Sequence, residues 1–399
     1  MAVNDLTFNQ LATVLNSIYS QATGKSAIAV TSTASFVSVA NTALKTGYDP
    51  LATAISQVLS KTIFSVRPYS RKFGGLNVSS QRYGNHVRKL NIVDADFEKD
   101  QRFTLADNES IDQYIVKKPQ VLQTNFYGSN VYQKRITIYK DQLDCAFSSP
   151  DEFGRFISMV LQNASDMIEQ AHENTARATI ANLIGGKVAK DTGNVIYLLD
   201  EYKAQTGVTL TTTSVFNSEN FVPFAKWLFS YIKTVSQKMT ERTYKYHMNV
   251  KDKEIARHTP VKNQKLYLYQ PWMNNIDSSV ISGVFNEKYM KMLDYEGVNF
   301  WQAFSSPTDI NVTPGVMASD GTISSSTPTS VNNVFGVLFD EEAAGYTTIN
   351  QWAQPTPFNA RGGYYNQFWH FTDRYWNDFT ENCVVFILGN KSTTNASTS

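Results

Sequence analysis

Cysteine is almost missing from the 399-residue chain. Cys145 and Cys383 are too few and too far apart for a disulfide framework or a zinc site. They read as small buried hydrophobes of a reducing compartment. Nowhere is there an apolar run of about 18 residues, which excludes a transmembrane helix. The opening residues, MAVNDLTFNQ, lack the basic-then-apolar order of a signal peptide. Charged residues make up 18% of the chain and the net charge is +1, so the whole carries no nucleic-acid or membrane footprint.

Catalytic motifs are missing as well. None of the five histidines, His86, His172, His247, His258 and His370, has an i,i+4 partner or an HExxH context. Gly24-Lys25-Ser26 resembles the end of a phosphate loop. The glycine that pattern requires five residues earlier is Tyr19, and no strand precedes it. G-x-S-x-G and related nucleophile signatures do not occur. Asp141 and Asp144 read as the approach to a helix cap. The expectation is a protein without catalysis, metal or cofactor.

The abundant residues are tyrosine (21), phenylalanine (24) and uncharged polar side chains. A surface of that kind suits a chain that buries much of itself against neighbours; a compositional habit of the lineage would look the same. At this length two or three lobes are expected rather than one core.

One stretch organises the rest. From Ser149 to Gly185 the sequence reads as a single helix, with Ser149 as N-cap, Glu152 completing a capping box and Pro150 in the first turn. Apolar or small residues recur at 3–4 spacing from Phe153 through Val160, Ala171 and Ala178 to Ala181. Gly185 is placed as the C′ residue, and Gly154 could introduce a kink. Such a helix would run roughly 50 Å at about 1.5 Å per residue, which implies an elongated subunit.

Residues 1 to 60 read as an arm: two weakly amphipathic helices separated by a Ser/Thr/Ala tract with few large apolar groups. From Ile63 to Leu143 the period changes to two. A turn at Gly128-Ser129-Asn130 between two strands suggests an extended β-hairpin. After Gly186 come a strand at NVIYLL and a helix capped by Asn217 or Ser218. TYKYHMNV and KLYLYQPW then read as strands, and a helical stretch lies within Met273–Val298. Residues 305–333 form a polar loop expected to be exposed. NVFGVLFD, TTINQW and the aromatic-rich end, GYYNQFWHF through NCVVFIL, read as sheet.

The hairpin region holds a local basic bias. Arg67, Arg71, Lys72, Arg82, Arg88 and Lys89, with Lys99 and Arg102, face Asp94, Asp96, Glu98 and Asp100. Aromatics are interleaved at Tyr69, Phe73 and Tyr83. The pattern admits a nucleic-acid surface, charge pairing across a subunit boundary, or plain solvation.

At ITIYKDQLDCAFSSPDEFGRF a strand, a Q-L-D step and S-S-P-x-E-F lead into the long helix. This resembles the major capsid proteins of tailed bacteriophages, with the Hong Kong 97-type fold. NVFGVLFDEEAAGY, TPFNARGGYYNQFWHF and WNDFTENCVVFIL resemble the closing strands of that family. The resemblance implies an α+β fold with an N-terminal arm (1–60), an extended β-hairpin loop (61–143) and a peripheral domain (144–249) built on the spine helix 149–185. An axial domain (250–345) and a return to the peripheral domain with a C-terminal tail (346–399) would follow.

It also implies self-assembly into pentamers and hexamers of an icosahedral virion head that encloses double-stranded DNA non-specifically. Assembly would take place in the bacterial cytoplasm, with a separate scaffold protein, a portal and in some relatives a decoration protein, and with no membrane. Arg67, Arg71, Lys72, Arg82, Arg88, Lys89, Asp94 and Asp96 would be assembly contacts. Some members crosslink a lysine to an asparagine, for which Asn359 and Asn377 qualify by residue type only. Deleting Arg71 to Lys99 is expected to spare the core and abolish shells. Two other readings stay open: an encapsulin-type shell around a cargo enzyme, and a carbohydrate-binding phage tail protein.

Overall fold

The computed structural model describes residues 8–47, 49–55, 73–76, 87–95, 100, 102, 104–127, 129–190, 192–280, 294–325 and 328–391. Its axis is helix α5, Pro150–Lys190, 41 residues and roughly 60 Å long at about 1.5 Å per residue. The Ser149 hydroxyl accepts the amide of Glu152 at 3.3 Å, and Asp151 and Glu152 face the positive end of the helix dipole.

The helix does not stop at Gly185. It continues through Gly185 and Gly186 to Lys190. These glycines serve close approach instead. A Cβ on Gly185 would lie 2.4 Å from Val312 Cγ2, and one on Gly186 2.5 Å from the Phe379 ring and 2.7 Å from the Gly315 carbonyl. The last turns of the helix can therefore touch backbone that a side chain would hold away.

The arm is more ordered than its composition suggests. Helices α1 (Phe8–Thr23) and α2 (Thr33–Leu44) lie against the first turns of α5, and α3 (49–55) adds Leu51, Ala52, Ala54 and Ile55 to the same core. The Ser/Thr/Ala tract, expected to hold few core residues, forms α2. Ser32 and Ser35 make a reciprocal cap there, and Phe36, Val39, Ala40 and Ala43 are buried. Phe36, Phe153 and Phe147 meet edge to face with centroids 5.6 and 5.2 Å apart. Helix α4 (Lys140–Ala146) closes this first core with Leu143 and Ala146.

Strands β1 (Val87–Ile92) and β2 (Val121–Phe126) pair antiparallel, Ile92 opposite Val121. β3 (Asn130–Tyr139) does not pair with β2. It joins a different, three-stranded sheet, so β2 and β3 are not the paired strands of a hairpin; Gly128 of the expected turn lies outside the described residues.

The next elements surround a five-stranded sheet. They are β4 (Val195–Tyr197), α6 (Leu198–Thr206), α7 (Ser218–Met239, N-capped by Asn217), β5 (Gln264–Tyr269), α8 (Gln270–Val280) and β6 (Glu296–Val298). TYKYHMNV, expected as a strand, holds only isolated bridges, Thr243 to Arg257 and Val250 to Lys253. The polar stretch 305–333 is not simply exposed. It folds into β7 (Ile310–Val312), β8 (Gly315–Met317), β9 (Ile323–Ser325) and β10 (Thr329–Val331). Ile310, Met317 and Val331 are buried in the core that also holds the second half of α5.

β11 (Val334–Asp340), β12 (Ala344–Pro355), β13 (Tyr364–Asn377) and β14 (Cys383–Ile387) complete the chain. The sheet orders are β12-β13-β3 and β4-β14-β11-β5-β6. β11 and β14 are apolar throughout because both faces are covered. Val337, Phe339, Val385 and Ile387 point to the core shared with α5, while Phe335, Leu338, Val384 and Phe386 point to the core under α6, α7 and α8.

β4 is an edge strand of the five-stranded sheet, and α6 and α7 share the core on one of its faces. Phe73 and Leu76 are fully buried beside Tyr267 and the spine, so a deletion from Arg71 to Lys99 would remove core residues.

The glycines of α5 separate helix propensity from close approach. Gly186→Ala should destabilise the chain by about 1–3 kcal/mol, since backbone and a buried ring stand in the way. Gly154→Ala should stay within about 1 kcal/mol of the natural chain, because its Cβ meets only the movable Leu11 methyls at 3.2 and 3.3 Å and alanine favours helix. Urea unfolding midpoints would decide; equal effects would contradict the packing role of Gly186.

Candidate assembly surfaces

The two-stranded loop has an inner and an outer face, set by the alternation of β1. Val87, Lys89 and Asn91 turn towards the body, and Arg88, Leu90 and Ile92 turn away. The inner face is held by charge. Lys89 Nζ lies 3.2 Å from Asp378 Oδ2 and 2.8 Å from Glu342 Oε2, and also pairs with Glu381. Arg257 pairs with Glu381 at 2.9 Å and donates to Asn91 Oδ1 at 3.2 Å. Past the end of β1, Asp94 takes an ion pair from Arg242 and the Ala256 amide at 2.6 Å.

Burial alone would lower the Lys89 ammonium. The charges of Asp378 and Glu381 and the hydrogen bonds to Glu342 and Glu381 outweigh it and hold the group above the usual lysine range. The entry to the loop has a second anchor. Phe73 packs on Tyr267 at 5.2 Å between centroids, and the Arg177 guanidinium, paired with Glu173, lies 5.1 Å from the Phe73 ring and 3.7 Å from that of Phe300.

Of the eight residues singled out in the sequence, Arg88, Lys89 and Asp94 are described here. Arg67, Arg71, Lys72, Arg82 and Asp96 lie outside the described residues. Lys89 and Asp94 share one intrachain polar cluster with the 378–381 and 242–257 segments, while Arg88 stands exposed on the opposite face. The partners Arg242, Arg257, Asp378 and Glu381 escape sequence reasoning because they lie some 150 to 290 positions away. The acidic run Asp340–Glu341–Glu342, with Asp378 and Glu381, is a second acidic group in the sequence beside Asp94, Asp96, Glu98 and Asp100, and the signal that could have pointed to these partners.

The outer surface of the loop is uncovered. Every described residue from Thr104 to Val121 is exposed, including Leu105, Ile111, Tyr114, Ile115 and Val116. A second open surface is the outer face of the three-stranded sheet, where Trp352 stacks on His370 at 4.0 Å beside Phe368. A cleft of about 890 Å³ lies between β2, residues 250–253, 315–323 and 375–380, with Lys251, Lys253, Asp320 and Asp378 at its walls.

The titratable groups in the body are engaged structurally. His247 is buried between Asn382 Oδ1 (3.2 Å) and the Ile255 carbonyl (2.8 Å), and burial lowers its pKa. His172 Nδ1 lies 2.9 Å from Asp373 Oδ2, tying the middle of α5 to β13. Asn377 donates to the Thr179 carbonyl at 3.1 Å, and Asn359 Oδ1 accepts the Gly362 amide at 2.9 Å. No group of three or more metal-ligating side chains occurs among the described residues, and none of their helices is long and apolar enough to cross a membrane.

The charge cluster predicts an asymmetry across β1. Lys89→Met should cost about 3–5 kcal/mol, the consequence of leaving buried carboxylates without their cation. Arg88→Met should change stability by less than about 0.5 kcal/mol, as expected for an exposed position. Chemical unfolding of the two variants would test this, and comparable losses would refute the inner-face anchor.

The model of the Phi29-like phage major capsid protein family matches residues 13–387. No curated protein matches the chain. Among solved structures, it is similar to a chain in the capsid structure of Staphylococcus phage Andhra, with 9% identity, 82% of this chain and 86% of that one covered, and a TM-score of 0.52. A chain in the structure of the head fibre and inner core protein gp22 of native bacteriophage P68 gives 9% identity, 80% and 85% coverage and a TM-score of 0.53. The chain shares the Hong Kong 97-like fold of these capsid chains, and by the family match over residues 13–387 it belongs to the Phi29-like phage major capsid protein family, a structural protein that assembles into the capsid of a tailed-phage virion.

Proposed function

We propose that copies of this chain form pentamers and hexamers that close into an icosahedral head around double-stranded DNA. In this reading α5 is the spine of a peripheral domain that includes the arm helices and the β12-β13-β3 sheet. The five-stranded sheet with α6, α7 and α8 is the axial domain, directed to capsomer centres. The loop around β1 and β2 is the clasp between subunits. Assembly takes place in the host cytoplasm with a separate scaffold and a portal, and the packaged DNA is contained without sequence recognition, in keeping with the net charge of +1. No catalytic step is assigned to the chain.

The observation that carries the clasp is the contrast within one loop. Its base is fastened to the chain's own body by Lys89 and Asp94, while residues 104–121 carry large apolar side chains into open solvent. Exposed apolar surface of this kind marks a contact with another molecule. In a shell, that molecule is a neighbouring copy.

Replacing residues 104–120 with a short Gly-Ser linker should leave the body's far-UV circular dichroism and unfolding transition unchanged. It should abolish shells in electron micrographs of the chain co-expressed with its neighbouring genes. Normal shells from that variant would remove the clasp assignment.

A further inference from the structure

The three-stranded sheet covers a core with one face only. On the other face the register sets two rows of side chains across β12, β13 and β3. Gln354, Phe368 and Arg135 stand opposite one another in the first row, and Trp352, His370 and Gln133 in the second. Directly opposed residues share a face, and the rows lie about 6.8 Å apart at roughly 3.4 Å per residue. Gln354, Trp352, Arg135 and Gln133 are exposed, while Phe368 and His370 are half-buried. The Trp352 and His370 rings stack at 4.0 Å with 14° between their planes, and the Phe368 ring lies 6.2 Å from that of His370. The stacked pair forms a wall beside Phe368.

The polar groups of this patch are unengaged. Among the described residues, the side chains of Arg135, Gln133 and Gln354 have no hydrogen-bond or ion-pair partner. No carboxylate shares the two rows. Residues 130–139, 350–355 and 364–372 contain neither Asp nor Glu, and Asp373, next along β13, is buried against His172 and Thr348. Asp49, which accepts the Phe358 amide, and Asp141 belong to the other end of the sheet, near Tyr139 and Tyr364. Tyr139 is four residues from Arg135 along β3, about 14 Å.

These groups define the chemistry of a ligand. Aromatic ring faces are negative at their centres and attract polarised C–H groups. Amide side chains both donate and accept, as hydroxyl groups require. A planar guanidinium fork matches a carboxylate, and one guanidinium balances its single charge. A single-stranded nucleic acid would need a row of cations along its phosphates. The face offers one arginine and one histidine, since Lys134 is opposite Trp369 on the covered side.

We propose that this face binds an acidic sugar, with the C–H face of the ring over Phe368 against the Trp352–His370 stack, the carboxylate on Arg135 and hydroxyls on Gln354 and Gln133. The site lies within one chain and does not depend on assembly. Repeated over every copy of a shell, a weak site of this kind would hold the particle to a polysaccharide through many contacts.

Shells of the full chain would be passed over immobilised polygalacturonate, with dextran and single-stranded poly-dT columns beside it. The expected result is retention on polygalacturonate alone and elution by free galacturonate. Arg135→Gln and Trp352→Ala should each lower the bound fraction at least tenfold while shells still form, with Gln354→Ala in place of either one that prevents assembly. Lys226→Gln, which removes an exposed lysine of α7, should leave retention unchanged. The proposal is overturned by shells that pass through polygalacturonate, by equal retention on dextran or poly-dT, or by retention that survives the patch substitutions or falls equally with Lys226→Gln. None of these results touches the shell reading. Absence of shells from the unsubstituted chain would overturn that reading alone, and the unassembled chain would then be run on the same columns.

Discussion

A 41-residue helix cannot be stabilised by one hydrophobic core, and the remaining elements are arranged around that constraint. In a protein most of a helix's stability comes from packing its apolar face, so cover is needed along the whole length. The first half of α5 is covered by α1, α2 and α4 through Phe153, Phe156 and Val160. The second half is covered by β7, β8, β10 and β14 through Ala176, Ile180, Leu183 and Ile184. The middle is tied to the three-stranded sheet by His172 and Asp373, both almost fully buried. Each attachment would be weak alone. Together they make a rod to which separate layers are fixed.

The five-stranded sheet carries the packing one step further. Along β14 each residue step changes the core it serves, and β11 does the same on either side of the irregularity at Gly336, so Phe339 and Leu338 hold different layers of the same molecule. A polar substitution in either strand would be buried whichever face it took. The long three-stranded sheet is different. One face, with Tyr365, Trp369 and Phe371, is buried, and the other stays open. Alternation in the sequence reads correctly for both, as period two for the half-covered sheet and as an unbroken apolar run for the fully covered one.

Much of the fold was legible because it depends on local pattern. The N-cap at Ser149, the Asn217 cap of α7, the strand at KLYLY and the closing apolar run all follow from spacing and turn chemistry. What could not be read depends on distant partners. Gly185 looked like a helix terminus because glycine usually marks one, whereas here it and Gly186 admit Val312, Gly315 and Phe379. The Ser/Thr/Ala tract looked like linker because its apolar residues are few, yet small residues suit a helix lying close on another. The partition of charges in the loop was partly visible. The basic bias was there, but that Lys89 would meet Asp378, Glu381 and Glu342 needed the chain to return nearly 300 residues later.

The loop's two kinds of interaction divide its work. Ion pairs with hydrogen-bond geometry are directional, so Lys89, Arg257 and Asp94 can fix the angle at which the loop leaves the body. Apolar contact is non-directional and grows with area, which would suit the tip in the proposed clasp. Exchanging the two would fail. An apolar base would leave sticky surface along both faces of an edge strand, an invitation to aggregate before assembly. A charged tip would gain little at a solvent-exposed contact and would weaken with salt. In the proposed clasp, Lys89, Arg257 and Asp94 hold the loop to its own body, and the exposed apolar side chains between residues 104 and 121 are left for the next copy.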